Sequence, residues 1–233
     1  MKPYQKVPIC DCGEALVPIP LSQFAVTMPH AYEALGAPYG DRSPYFLREG
    51  VLKKLLQAQA HLQAQHPGWQ IQIFDAYRPI AVQQFMVDYS FAELAEAEGV
   101  SLDDMSEAVR SRLQSEVTQF WAVPSQNPET PPPHSTGSAI DVTLSDAAGK
   151  TVDMGSPIDE ISPRSYPQHF ANSNDPGAQN AHQNRSLLTA VMVSAGFRQH
   201  PNEWWHFSTG DQLWAWQVGE DAIAKYGNAA LYV

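Results

Sequence analysis

The chain has 233 residues, 43% of them hydrophobic, which is enough to bury one sizeable core. A formal net charge of −11, from 14 Lys+Arg against 25 Asp+Glu, excludes the clustered basic surface that nucleic acid requires. No apolar run reaches the length of a transmembrane helix, so nothing in the sequence reads as a membrane span.

Residues 1–45 are Pro-rich and irregular, and are expected to wrap the edge of a single domain covering 1–233. Lys2 and Lys6 start the chain, but Asp11 and Glu14 interrupt any apolar segment of a signal peptide. Cys10 and Cys12 have no partners elsewhere and sit too close for a useful staple, so a reducing, cytoplasmic setting is expected. Val51 to Gln65 reads as an amphipathic helix, with Val51, Leu52, Leu55, Leu56 and Leu62 on one face and His66-Pro67-Gly68 ending it. Trp69 to Phe74 then alternates as a half-buried strand does. It delivers Asp75-Ala76-Tyr77-Arg78-Pro79 to a strand end, ahead of a Pro-initiated helix. Arg78 has two readings there. One is a charged fork aimed at a developing oxyanion; the other is an ion pair to Asp75 that pins the loop. Ser101 to Trp121 reads as a helix capped by Ser101, and Pro124 to Pro133 as a stiff connector.

The connector leads into Pro133-His134-Ser135-Thr136-Gly137-Ser138-Ala139-Ile140-Asp141, in which Gly137 can turn His134 back beside a strand that carries Asp141. Some sixty residues on comes Glu203-Trp204-Trp205-His206-Phe207, where a turn at Glu203 and a strand at His206 would let both face one point. Two imidazoles, one carboxylate and a spare glutamate make a catalytic metal set: three ligands, an open position and a base. The competing reading is a pair of ordinary core histidines. Against it, both fragments are apolar-flanked strands with polar groups that a core has no reason to include. Between them, residues 146–184 read as a long polar loop of the kind that is usually functional or disordered. Arg185 to Ala195 reads as a helix closed by Gly196. Asp211 to Tyr226 reads as a last helix burying Leu213, Trp214, Val218 and Ile223. His169, His182 and His200 are taken as surface or supporting residues.

His-x-x-Gly-x-Ala-x-Asp followed by Glu-x-x-His resembles the zinc D-alanyl-D-alanine dipeptidases of the VanX type. Asp75 to Pro79, Met154-Gly155-Ser156-Pro157-Ile158-Asp159 and Ala181 to Arg185 are similar to that family's landmarks, in its order. The resemblance covers about Ile71 to Phe207. It implies one zinc per chain on His134, Asp141 and His206, with Glu203 as general base and Arg78 as the transition-state arginine. It further implies that Asp159 grips the ammonium of the dipeptide D-alanyl-D-alanine. Two departures stand out. Pro132 and Pro133 occupy positions where the family commonly has serines that hold substrate, and the family's N-terminal tyrosine has no counterpart around Phe24 to Met28.

The fold implied is α+β: a central, mainly antiparallel sheet carrying the zinc site, flanked by helices packed to one side, with long loops over the cleft. A zinc D,D-carboxypeptidase acting on longer cell-wall peptides, a zinc-binding module without turnover and a metal-free structural domain remain the alternatives.

Overall fold

The computed structural model describes residues 2–219 and 221–232. The chain begins with a 3-10 turn at Pro3–Lys6, followed by β1 (Leu16–Pro18), β2 (Ala25–Val26), the one-turn helix α1 (Ala31–Ala34) and β3 (Phe46–Arg48). Next come α2 (Glu49–Gln65), β4 (Gln70–Asp75), α3 (Ile80–Ala97) and α4 (Glu107–Phe120). The second half holds β5 (Ala139–Ser145), α5 (Pro176–Ser194), β6 (Arg198–Gln199), β7 (His206–Ser208) and α6 (Gln212–Val218).

Five strands form one sheet in the order β2-β4-β5-β7-β6; β2 and β4 are parallel and every other pair is antiparallel. The α+β architecture expected from the sequence is therefore present. β1 and β3 make a separate antiparallel pair. Every residue of β5 is buried, and its two faces do different work. Ile140, Val142 and Leu144 join Ile71, Ile73 and Phe207 in the main core, beneath Val51, Leu55 and Leu62 of α2 and Leu188, Val191 and Met192 of α5. Its other face carries Asp141.

Helices are not confined to one side. α3 and α4 pack together around a second apolar cluster, in which Val82, Met86, Val117 and Trp121 meet Tyr32 and Phe74.

Three helices differ from the sequence reading, each for a local reason. α4 starts at Glu107 because Ser106, not Ser101, is the cap, its Oγ accepting from Val109 N at 3.4 Å. α5 starts nine residues before Arg185: Asp175 caps it, accepting from Ala178 N at 2.8 Å, and Pro176 sits in the first turn, where its missing N–H costs nothing. The loop expected over 146–184 thus ends at 175, and Ala181, Arg185 and Leu188 bury one face of the added turns. α6 stops at Val218, and Val218 and Ile223 are exposed instead of buried. The chain beyond runs back to bridge Ala224 with Ile9.

Candidate active site

Strand register builds the centre of the site. Asp75 of β4 pairs with Asp141 of β5, and Asp141 pairs with His206 of β7. Residues directly opposed across a sheet share a face, so these three form a row. Strict alternation would put Asp75 with Ile71 and Ile73 on the core side. A bulge prevents this: Ile73 opposes Val142 while Asp75 opposes Asp141, two steps on β4 against one on β5. The extra residue, Phe74, turns Asp75 onto the cleft face.

His134 reaches the row from the 3-10 turn Pro133–Thr136. Gly137 ends that turn in the left-handed region at φ 71°, and a Cβ there would lie 2.3 Å from Leu16 Cδ2, so both backbone and space demand glycine. The turn is laced to the Arg78 segment. His134 Nδ1 lies 2.7 Å from the Ala76 carbonyl oxygen, Arg78 N donates to His134 O at 3.4 Å, and Ser135 Oγ donates to Arg78 O at 2.8 Å. A proton on Nδ1 directed to Ala76 O leaves the Nε2 lone pair of His134 facing the cleft.

The three predicted ligand residues meet. His134 Nε2 lies 3.1 Å from His206 Nδ1 and 3.2 Å from Asp141 Oδ2, and His206 Nδ1 lies 3.0 Å from Asp141 Oδ1. All three are buried, and their ligand atoms fall within 4.8 Å of one another. Two nitrogens bound to one tetrahedral zinc stand about 3.3 Å apart, so this donor set fits such an ion with little adjustment. Burial would raise the Asp141 carboxyl, but His134 and His206 outweigh it and hold it far below the usual range.

Glu203 lies in the turn before β7, as expected, with its N–H donating to His200 O at 3.4 Å. Its Oε2 is 3.7 Å from His206 Nδ1, and its Oε1 is 3.3 Å from His200 Nδ1. Burial first, and then the charge of Asp141, push its carboxyl well up, in the direction a proton acceptor near neutral pH requires. His200 is thus a buried neighbour of Glu203. His169 is exposed and His182 half-buried.

Arg78 makes the ion pair to Asp75 that the sequence offered as an alternative, and more besides. Nε and Nη2 donate to Asp75 Oδ2 at 3.0 and 2.8 Å, Nη2 also reaches Asp141 Oδ2 and Tyr32 Oη at 3.2 Å, and Nη1 donates to Gln83 Oε1 at 2.9 Å. A guanidinium has five N–H groups, which leaves one on Nη1 without an acceptor among the described residues. Trp121 and Tyr32 cover the guanidinium, their ring centroids 5.0 and 4.9 Å from Cζ. Asp75 in turn accepts from Tyr39 Oη at 2.9 Å and lies 3.1 Å from His30 Nε2.

Asp159 sits in a left-handed conformation at φ 64° and accepts from Tyr32 Oη at 2.7 Å. Burial, and then the charge of Asp141, raise its carboxyl to about 7. Sequence reasoning missed Tyr32, although it looked for a tyrosine near Phe24 to Met28. A tyrosine does reach the cleft from the N-terminal region, on α1, a few residues later. The signal was the His30-Ala31-Tyr32 turn, whose cap His30 Nδ1 accepts from Glu33 N at 3.3 Å. The landmark Arg185 stays away from the row. It is buried under the 146–175 loop, donating to the carbonyls of Met154 and Tyr166 at 2.7 and 3.0 Å and to Ser156 Oγ at 3.0 Å.

One cavity joins these groups, lined by Arg78, His134, Asp141, Asp159, Glu203 and His206 among others. A buried donor set of two histidines and an aspartate, with a free glutamate and an arginine beside it, is the apparatus of a hydrolytic metal centre.

Comparison with known proteins gives the class its family. The model of the M15 peptidases, described as D-ala-D-ala dipeptidase, matches residues 25–224, and the chain belongs to that family and is a peptidase. It is 49% identical to a D-alanyl-D-alanine dipeptidase of Synechocystis sp., over 97% of this chain and 96% of that one. A D-alanyl-D-alanine dipeptidase of Escherichia coli is 47% identical over 32% of this chain and 36% of its own. Among solved structures, VanYB in complex with D-alanine-D-alanine has 18% identity and a TM-score of 0.45, covering 70% of this chain and 71% of that one. No helix among the described residues is long and apolar enough to cross a membrane.

Proposed function

We propose that this protein is a zinc-dependent dipeptidase that hydrolyses D-alanyl-D-alanine to two D-alanines. The observation that carries the reading is the convergence of His134 Nε2, Asp141 and His206 Nδ1, at 3.0 to 3.2 Å from one another, with the Glu203 carboxylate left free beside them. Zinc held by those three residues, one ion per chain, supplies a Lewis acid that polarises the scissile carbonyl and lowers the pKa of a bound water toward ~7.

The chain's own groups do the rest. Glu203 takes the proton of the attacking water and passes it to the leaving amine, a role its raised pKa suits. The unpaired N–H of Arg78 donates to the carbonyl oxygen as it becomes an oxyanion. Asp75 and Asp141 hold the guanidinium in place, so it needs no reorganisation when charge develops. Asp159, buttressed by Tyr32, accepts from the substrate ammonium and sets one end of a two-residue ruler. The D configuration rests on the family and on the Synechocystis relative.

The Asp159 carboxyl at one end of the cavity favours a free amino terminus over the longer peptides of a D,D-carboxypeptidase. D-Alanine release from D-alanyl-D-alanine and from its N-acetyl derivative, with and without a chelator, tests both points. Hydrolysis of the free dipeptide that is lost with the metal is expected. Preference for the acetylated compound would make the protein a carboxypeptidase, and chelator-insensitive hydrolysis would remove the metal.

A further inference from the structure

A substrate with two free ends needs a partner for its carboxylate, and the obvious place for one is empty of donors. Pro132 and Pro133, just before His134, have neither a hydroxyl nor a backbone N–H to offer. Arg78 has four of its five N–H groups engaged by Asp75, Asp141, Tyr32 and Gln83, and the proposed mechanism uses the remaining one at the oxyanion.

The chain's first turn also contributes to the cavity wall. Lys2 and Tyr4 both line it, alongside Glu203 and His200. Tyr4 is 8% exposed, and its hydroxyl makes no hydrogen bond among the described residues. The Lys2 ammonium likewise forms no ion pair among them, although it is close enough to Glu203 for each to perturb the other. Tyr4 and the half-buried Lys2 thus line the cavity with donors that no protein group among the described residues takes up, available to an incoming carboxylate. Nor is the turn a loose end. Lys2 N donates to Gln5 Oε1 at 2.8 Å, and Gln212 Nε2 of α6 donates to the carbonyls of Gln5 and Val7 at 3.3 and 2.7 Å.

We propose that Lys2 and Tyr4 bind the substrate's α-carboxylate, completing from the first turn of the chain the end of the cleft that Asp159 does not reach. The inference rests on the dipeptidase reading. Along the cavity wall the groups then follow the substrate: Asp159 at the ammonium, Arg78 at the carbonyl, Glu203 at the leaving nitrogen, Lys2 and Tyr4 at the carboxylate. The free volume is about 30 Å³, room for about two waters, so a dipeptide enters by displacing part of this wall. Burial lowers the Lys2 pKa, as for an ammonium taken from water before its counter-ion arrives.

The test compares D-alanyl-D-alanine with D-alanyl-D-alaninamide, which keeps the ammonium and scissile bond but lacks the charged terminus. For the zinc-loaded enzyme, Lys2→Met is expected to raise KM for the dipeptide ~10- to 100-fold and leave KM for the amide within about twofold, while the loss of its charge beside Glu203 shifts the kcat pH profile alike on both substrates. Tyr4→Phe should give the same pattern at a few-fold, and Lys2→Arg should restore most of the loss. Equal KM losses on both substrates would mean that Lys2 acts only through Glu203 and would overturn the proposal. So would an unchanged dipeptide KM. Wild-type enzyme that cuts neither compound would instead overturn the dipeptidase reading itself, and the proposal with it.

Discussion

The two ends of the cleft are built by different means. At the end that could hold a metal, Asp75, Asp141 and His206 occupy one row across three hydrogen-bonded strands, and His134 is laced to the Arg78 segment by its backbone and its ring. At the Asp159 end a single hydrogen bond joins side chains 127 residues apart in sequence, one on a short helix and one on a loop. Sheet register fixes the first; the second depends on a one-turn helix and a loop, Tyr32 seated in the second apolar cluster and Ile158 packed against the main core. On the proposed reading, the chemistry is tied to the strand row and substrate choice to the contact between helix and loop.

If that division is right, damage at the row should remove rate, and damage at the far end should alter selectivity. Glu203→Ala is expected to lower kcat by ~10³-fold or more while zinc content stays at one per chain, checked by D-alanine release beside metal analysis. Zinc lost along with activity would mean that Glu203 helps hold the ion. Arg78→Lys keeps the charge but loses the planar fork, and should lower kcat by ~10²-fold with little change in metal content.

Asp159→Asn should act on the other side of the comparison. It should raise KM for the free dipeptide ~10-fold or more and spare an N-acetylated one, as competition kinetics between the two would reveal. The same residue gives a pH signature. With its carboxyl raised to about 7, Asp159 gains the charge an ammonium needs only as pH rises through 7, so KM for the dipeptide should fall across that interval. For stability the sign is opposite. Between about pH 4 and 7 the folded chain keeps a proton that the unfolded chain releases, so stability falls as pH rises through that window. Asp159→Asn should abolish that fall, visible as a flatter Tm against pH, and asparagine tolerates the φ of 64°. The smallest effect expected is from Ser106→Ala, which removes the α4 cap, far from either end. It should cost about 1 kcal/mol in urea unfolding and leave both kinetic constants alone.

Much of the site was legible because its residues come in short, chemically unusual clusters. His134, Gly137 and Asp141 lie within eight residues, and Glu203 and His206 are a turn and a strand apart, as read. The helix boundaries that failed did so where two signals competed. Ser101 and Ser106 are both plausible caps, and only packing of Leu113 and Val117 against the second apolar cluster and its surroundings chooses the later start. The Asn- and Gln-rich start of α5 resembles loop in composition, although Asp175-Pro176 is a sound helix opening. Tyr32 was missed for another reason: the His30-Ala31-Tyr32 turn marks a helix start, but the partners Arg78 and Asp159 join it only in three dimensions.

The sequence by itself picked out the residues that meet in the cleft, the strands that carry most of them, and the family, because identity and local spacing are written along the chain. Tertiary structure alone decided that Asp75 faces the cleft, since a bulge at Phe74 reverses the alternation that Ile71 and Ile73 predict. It alone brought Tyr32 to Asp159 and set Lys2 and Tyr4 against Glu203. Those contacts depend on how distant segments dock on a shared core, a property of the whole packed chain that no local pattern encodes.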